Sequence, residues 1–186
     1  ALGSRSILGD PRMVEMQKKV NMKIKYRESF RPFAPIVLEQ RISDYFELDV
    51  PSPYMLLVAD VKNSIKIDAP DDENPDILSR LKFKRSSIPA VTHVDYSARI
   101  QSVSRKHHPE LYDILKTFEQ KTGCGVLLNT SFNVRGEPIV CTPEDAYRCF
   151  MRTEMDFLVM NDFLLKKDEQ TKWKQDENWR LEYELD

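Results

Sequence analysis

The chain has 186 residues, a net charge of −2 from 28 basic and 30 acidic side chains, and a 41% hydrophobic fraction, which fits one soluble globular domain and excludes both a disordered chain and one that grips nucleic acid by bulk charge. The three cysteines, Cys124, Cys141 and Cys149, contain no C-x-x-C pair, which argues against a disulfide framework or a zinc site and for a reducing compartment. No apolar run approaches the ~20 residues of a membrane span and no basic-then-apolar leader opens the chain, so it reads as cytoplasmic, with no membrane partner.

The opening residues, Ala1 to Arg12, have neither an initiator methionine nor linker composition and read as the interior of a longer protein. Asp10 followed by Pro11 is an N-cap and first-turn signal. Met13, Met16, Val20 and Ile24 recur at helical spacing, which predicts a helix into the low twenties. Lys25 to Pro35 reads as a loop, because Pro32 and Pro35 bias Arg31 and Ala34 away from helix and remove two backbone donors. A short buried strand is expected at Ile36–Leu38, a brief helix at Arg41–Phe46 and an interior strand over the apolar run Met55–Val61.

Between Lys62 and Ser87 the sequence turns polar, with an acidic stretch at 68–76 whose carboxylates lack the spacing of a calcium loop. Strands are expected at Ala90–Val94 and Ala98–Val103. Pro109 opens a helix in which Leu111, Ile114, Leu115 and Phe118 share a face and Gly123 is the stop. Gly125–Asn129 reads as a strand. Thr142, Pro143, Glu144 and Asp145 begin another helix, as cap, first turn and dipole-favoured acids. Phe157–Met160 and Phe163–Leu165 predict a hairpin about Asn161-Asp162. From Lys166 the chain is a charged tail with scattered aromatics, including Trp173 and Trp179. Alternating helices and strands with hairpins predict an α/β (α+β) layered domain with a mixed sheet.

Two segments carry candidate chemistry. Lys25, Arg27 and Arg31 lie within seven residues, among Phe30, Phe33, Pro32 and Pro35. A pre-organised set of Lys and Arg suits a polyphosphate or acyl phosphate, since Arg offers a planar fork and Lys a compact charge; the same residues also fit a solvated basic loop. The second segment, Leu127 to Pro138, runs from a buried strand into Asn129, Ser131, Asn133, Arg135 and Gly136, the layout of a ligand loop at the carboxyl end of a strand. It fits equally an ordinary turn whose Asn and Ser bond their own backbone. His93 reads as a core or supporting histidine, and His107-His108 as solvent-facing. No P-loop, Rossmann fingerprint, H-E-x-x-H or Ser/His/Asp order is present.

At these segments the sequence resembles a known family. Lys25 to Pro35, Leu127 to Val140, the opening Ala1 to Leu8, and Pro89 to Gln101 look like signature segments of NodU/CmcH-type carbamoyltransferases, in the family's order, and the resemblance covers about residues 1 to 165. It implies that residues 1–12 end a linker from an N-terminal ASKHA-like catalytic domain, that 13–165 form a YrdC-like domain with a twisted mixed sheet and packed helices, and that 166–186 are a tail outside the motifs. The family's K-x-R … S-x-N tetrad falls on Lys25, Arg27, Ser131 and Asn133.

The implied reaction joins ATP, with Mg2+, and carbamoyl phosphate to give carbamoyl-adenylate, whose carbamoyl group passes to a hydroxyl acceptor in the other domain, where iron is expected. Lys25, Arg27 and Arg31 would be catalytic and hold phosphates; Ser131 and Asn133 would orient the α-phosphate, Asn129 would support that loop, and Arg99 and Arg135 would contact phosphate or nucleotide. No metal ligand is assigned to this chain. The alternatives are a YrdC-like module that binds double-stranded RNA, which the near-neutral charge disfavours, and a non-catalytic interaction domain; a homodimer is left open.

Overall fold

The structure, a computed structural model, describes residues 2–68, 83–171 and Trp179. Five strands form one mixed sheet in the order β1-β5-β2-β4-β3: β1 (Ser6–Gly9), β2 (Ala34–Leu38), β3 (Leu57–Asp60), β4 (Ser97–Val103) and β5 (Val126–Ser131). The β2–β4 pair is parallel and the other pairs are antiparallel. A separate antiparallel hairpin joins β6 (Phe157–Met160) to β7 (Phe163–Lys166). The fold is therefore the mixed α/β architecture expected.

All five residues of β2 are buried, because it is the central strand and both its faces are covered. Side chains alternate across it. Val37 joins Ile100, Val126 and Leu128 in a core with Val20 and Ile24 from one helical segment and Phe150 and Cys149 from another. Ile36 and Leu38 face the other way and pack with Val103, Leu127, Leu111 and Leu115. The helices of the first layer are α1 (Met16–Val20), which continues as a π-helical turn at Asn21–Lys25, and α4 (Pro143–Arg152); α3 (Pro109–Thr122) covers the second face, and the short α2 (Ile42–Tyr45) follows β2.

Several expectations are corrected. The helix does not begin at Pro11, because the Asp10 carboxylate turns to the backbone N–H and guanidinium of Arg12 and so holds a local turn; α1 starts at Met16. Met55–Val61 is not an interior strand: β3 is the sheet edge, and Leu56 and Val58 are exposed. Ala90–Val94 is not a strand either. Pro89–Val91 is a 3-10 turn, fixed by a buried bond between the Ser86 and Thr92 hydroxyls.

Ile114 is half exposed, whereas Leu111 and Leu115 of the same helix are buried, since a single sheet face accommodates a narrower stripe than the sequence offers. Residues 1–12, expected to end a linker, contain β1, and the acidic stretch beyond Asp68 lies outside the described residues, as do Trp173 and most of the tail. Among the described residues no helix is long and apolar enough to cross a membrane.

The start of α4 is as expected. Thr142 Oγ1 accepts from the backbone N–H of Asp145, and the Asp145 carboxylate accepts from the backbone N–H of Thr142, a reciprocal cap that satisfies two otherwise orphaned donors. Thr142→Ala should lower the unfolding free energy by about 1 kcal/mol, read as a lower urea midpoint at unchanged slope.

Candidate functional site

Lys25 is the last residue of the π-turn, and it is only 3% exposed. One residue more per turn than an α-helix swings it toward the end of β5. Its Nζ lies 2.5 Å from the Ser131 carbonyl, 3.2 Å from Ser131 Oγ, 2.9 Å from the Asn133 carbonyl and 2.6 Å from Asn133 Oδ1. Ser131 Oγ itself donates to Asn133 Oδ1 at 2.7 Å. The two segments singled out in the sequence therefore converge, and the residues that join them are Lys25, Ser131 and Asn133.

The chain reverses directly after Lys25. Tyr26 adopts a left-handed conformation, φ 51° and ψ 50°, uncommon for a bulky residue and sustained only where surrounding contacts fix it. Tyr26 Oη donates to the Arg152 carbonyl at 2.8 Å, its ring meets that of Trp179 edge-on at 5.6 Å, and the Arg152 guanidinium lies over the Trp179 ring at 4.9 Å. Trp179 is thus a buried anchor drawn from the tail.

Asn21, fully buried, staples the following loop: its Nδ2 donates to the Ser29 and Arg31 carbonyls and its Oδ1 accepts from Arg27 Nε at 2.7 Å. The Arg27 guanidinium also stacks on Phe33, 4.9 Å from the ring centre. Sequence reading missed Asn21; the available signal was one amide inside a helical apolar stripe, a buried polar group that must find partners.

Arg31 and Arg135 are gathered by Glu28, at 2.9 Å and 3.7 Å. The Glu28 carboxyl sits below its ordinary value, first because its own backbone N–H bonds it and then because both arginines face it. Arg135 is also tied to the site through its N–H, which donates to the Lys25 carbonyl. Glu137, a further residue the motif reading left without a role, accepts from the Val134 N–H through its carboxylate and from Asn133 Nδ2 through its carbonyl.

Asn129 shares a face of β5 with Ser131. Its Nδ2 donates to Gln101 Oε1 at 2.7 Å, while its buried Oδ1 has no partner. Arg99, exposed on β4 two residues before Gln101, makes no hydrogen bond or ion pair with the Lys25 cluster among the described residues. Of the eight expected residues, Lys25, Ser131 and Asn133 bond one another, Arg135 bonds the Lys25 carbonyl through its backbone N–H, and Arg27 bonds Asn21 of the same π-turn. Arg31 reaches Arg135 through Glu28, Asn129 lies on the same face of β5 as Ser131 and bonds Gln101, and Arg99 stands two residues before Gln101 on β4.

Burial pushes the Lys25 ammonium down to about 7, Arg27 adds to the shift, and Glu137 opposes it. Between that value and 10.5 the unfolded chain holds a proton that the folded chain does not, so stability should rise with pH across this window and lose that gain as pH falls to about 7. Lys25→Met should abolish this slope, as measured by urea unfolding at the two ends of the window, and should cost roughly 2 kcal/mol by removing the one donor that the Ser131 and Asn133 oxygens share. Trp179→Ala should cost about 3 kcal/mol, whereas Trp179→Phe, which keeps a ring against Tyr26, should lose much less; thermal unfolding of the two variants separates them.

A family model described as Carbamoyltransferase C-terminus matches residues 1–167. The chain is 60% identical over 187 residues to an uncharacterized protein, sll1178, of Synechocystis, an alignment that covers all of this chain and 30% of that protein. It is 41% identical to nodulation protein NolO of Bradyrhizobium diazoefficiens over 90% of this chain and 28% of that protein, and 38% identical to nodulation protein U of Sinorhizobium fredii over 73% and 21%. The chain thus spans less than a third of the length of these relatives. With four signature segments in order and the Lys25–Ser131–Asn133 cluster assembled from two of them, the chain belongs to the carbamoyltransferase C-terminal family, the C-terminal domain of NodU-type carbamoyltransferases.

Proposed function

We propose that this domain carries out the activating half of an O-carbamoyl transfer: it binds ATP and carbamoyl phosphate and forms carbamoyl-adenylate. The observation that carries this reading is the meeting of Lys25 with Ser131 and Asn133, beside the guanidinium groups of Arg27, Arg31 and Arg135. Adenylate formation requires a carbamate oxygen to attack the α-phosphorus while pyrophosphate leaves; carbamoyl phosphate supplies the carbamate by losing its phosphate to water. Each step moves negative charge between oxygens, and fixed cations and N–H or O–H donors stabilise that movement without reorganising.

In this scheme Lys25 sets the positions of Ser131 and Asn133 and supplies a compact charge. Arg27 and Arg31 offer forks to phosphate oxygens, with Arg31 and Arg135 leaving Glu28 as phosphate takes its place. The Ser131 hydroxyl and Asn133 amide orient the α-phosphate, and Asn129 and Arg99 extend the polar surface toward the nucleotide. Among the described residues no group of three or more His, Cys, Asp or Glu side chains gathers as a metal site, so magnesium would enter with ATP, held by phosphate oxygens and water. The acceptor hydroxyl and the iron expected with it belong to the remainder of a longer polypeptide, and there the carbamoyl group would be transferred.

The test is calorimetric titration of the chain with MgATP, with and without carbamoyl phosphate, combined with an assay of pyrophosphate release. Binding of ATP, strengthened by carbamoyl phosphate, is the expected result. Arg31→Lys should weaken it about tenfold, because an ammonium keeps the charge but lacks the planar fork. An absence of ATP binding, or affinities unchanged in both Arg31→Lys and Ser131→Ala, would remove the site from this part of the molecule.

A further inference from the structure

Tyr26, Arg152 and Trp179 form a closed triangle of contacts at the back of the Lys25 cluster. The Trp179 ring meets that of Tyr26 edge-on at 5.6 Å and lies under the Arg152 guanidinium at 4.9 Å, while Tyr26 Oη donates to the Arg152 carbonyl at 2.8 Å. Trp179 is only 5% exposed, yet it belongs to the stretch after Lys166, which none of the four signature segments covers.

The triangle bears on a strained point. At φ 51° and ψ 50° the Tyr26 Cβ crowds its own backbone, and only glycine adopts this conformation freely. The Tyr26 and Arg27 N–H groups both bond the Asn21 carbonyl, which draws the chain back over the π-turn. Lys25 stands directly before this reversal and Arg27 directly after it. A change in the Tyr26 dihedrals would therefore redirect both cations, and would part the Lys25 carbonyl from the Arg135 N–H. Tyr26 cannot relax in this way without pulling its ring off Trp179 and its hydroxyl off the end of α4, so side-chain burial sustains what the backbone alone disfavours.

The groups that face the Lys25 ammonium are Arg27 from its own loop, Glu137 from the loop after β5 and the Cys149 thiol from α4. Burial is the first cause that lowers Lys25, and Cys149, itself pushed up to about 12 by burial, is uncharged at neutral pH. The titration of Lys25 is thus a gauge of how deeply the ammonium is held, and it needs no substrate.

We propose that Trp179 is a positioning residue for the Lys25 cluster: by clamping Tyr26 in its left-handed turn it holds the ammonium on the Ser131 and Asn133 oxygens, and so completes the site from outside the signature segments. Its effect on ATP binding rests on the adenylation reading, whereas its effect on Lys25 does not.

The test follows the Lys25 Nζ titration in the full chain by 15N NMR, assigned with Lys25→Met, beside calorimetric titration with MgATP. Trp179→Leu keeps an apolar side chain in the core but removes the ring. It should raise the Lys25 midpoint by about one unit, as water reaches Nζ, and weaken MgATP binding roughly fivefold. Trp179→Phe, which keeps an aromatic edge for Tyr26, should hold the midpoint and stay within about twofold in affinity. Tyr26→Gly enters the left-handed turn without a clamp, so in that background Trp179→Leu should change neither reading. A Lys25 midpoint unmoved by Trp179→Leu, or moved equally in the Tyr26→Gly background, would overturn the inference. If the wild-type chain binds no MgATP while Trp179→Leu still moves Lys25, the adenylation reading falls and the positioning role stands.

Discussion

Lys25 carries an ammonium group to a depth where it has lost nearly all contact with water, and oxygens of Ser131 and Asn133 stand in for its hydration. Much of the local architecture serves that exchange. An unpaired buried cation is costly unless its donors are satisfied, so the 131–133 segment must present two carbonyls, a hydroxyl and an amide oxygen to one point. Glu137 and the left-handed Gly136, with φ 76°, hold the segment in that shape. On the other side, the π-turn and the reversal at Tyr26 deliver the ammonium to the same point. A chain with a regular α-turn at 21–25 would carry Lys25 about a third of a turn away from these oxygens.

The sheet supplies the fixed distances. β5 lies between β1 and β2; β2 pairs with it as far as Asn129 and β1 as far as Ser131, so its carboxyl end is fixed through β1. The α1–π segment is fastened to the same sheet by Val20 and Ile24, packed in the core with Val37, Ile100 and Leu128. Lys25 and Ser131 are separated by more than a hundred residues in sequence yet are placed by two neighbouring elements of one core. The β1 strand is paired to β5 through Ser6 and Ser131, which ties the signature segment at the start of the chain mechanically to the site.

What was legible in the sequence divides along physical lines. Local chemistry with a local outcome was readable: Thr142 caps α4, Asn161-Asp162 turns a hairpin, and Gly123 ends α3 in a left-handed conformation. Meeting points between remote segments came from the family resemblance, since neither the 25–35 nor the 129–135 segment by itself distinguishes a phosphate loop from a solvated turn. Misreadings fell where tertiary context decides. The run Met55–Val61 is apolar enough for a sheet interior but occupies an edge, and Ala90–Val94 has strand-forming residues but is bent by Pro89 and the Ser86–Thr92 hydroxyl bond. Asn21 was overlooked because its role depends on three backbone and side-chain partners up to ten residues further along the chain, and no spacing rule encodes them.

The electrostatic state of the cluster also bears on what it is built to receive. Burial and Arg27 bring the Lys25 ammonium down to about 7, whereas Arg31 and Arg135 both face the carboxylate of Glu28. Arg27, Arg31 and Arg135 outnumber the carboxylates of Glu28 and Glu137 at the junction of the two segments. An arriving anion would stabilise the charged form of Lys25 by the same Coulombic logic that Arg27 applies in reverse. The cost of burying an ammonium is thus tolerated in the free protein by neutral oxygens, and any anion brought to this point would act on Lys25 in the same sense as the Glu137 carboxylate already does.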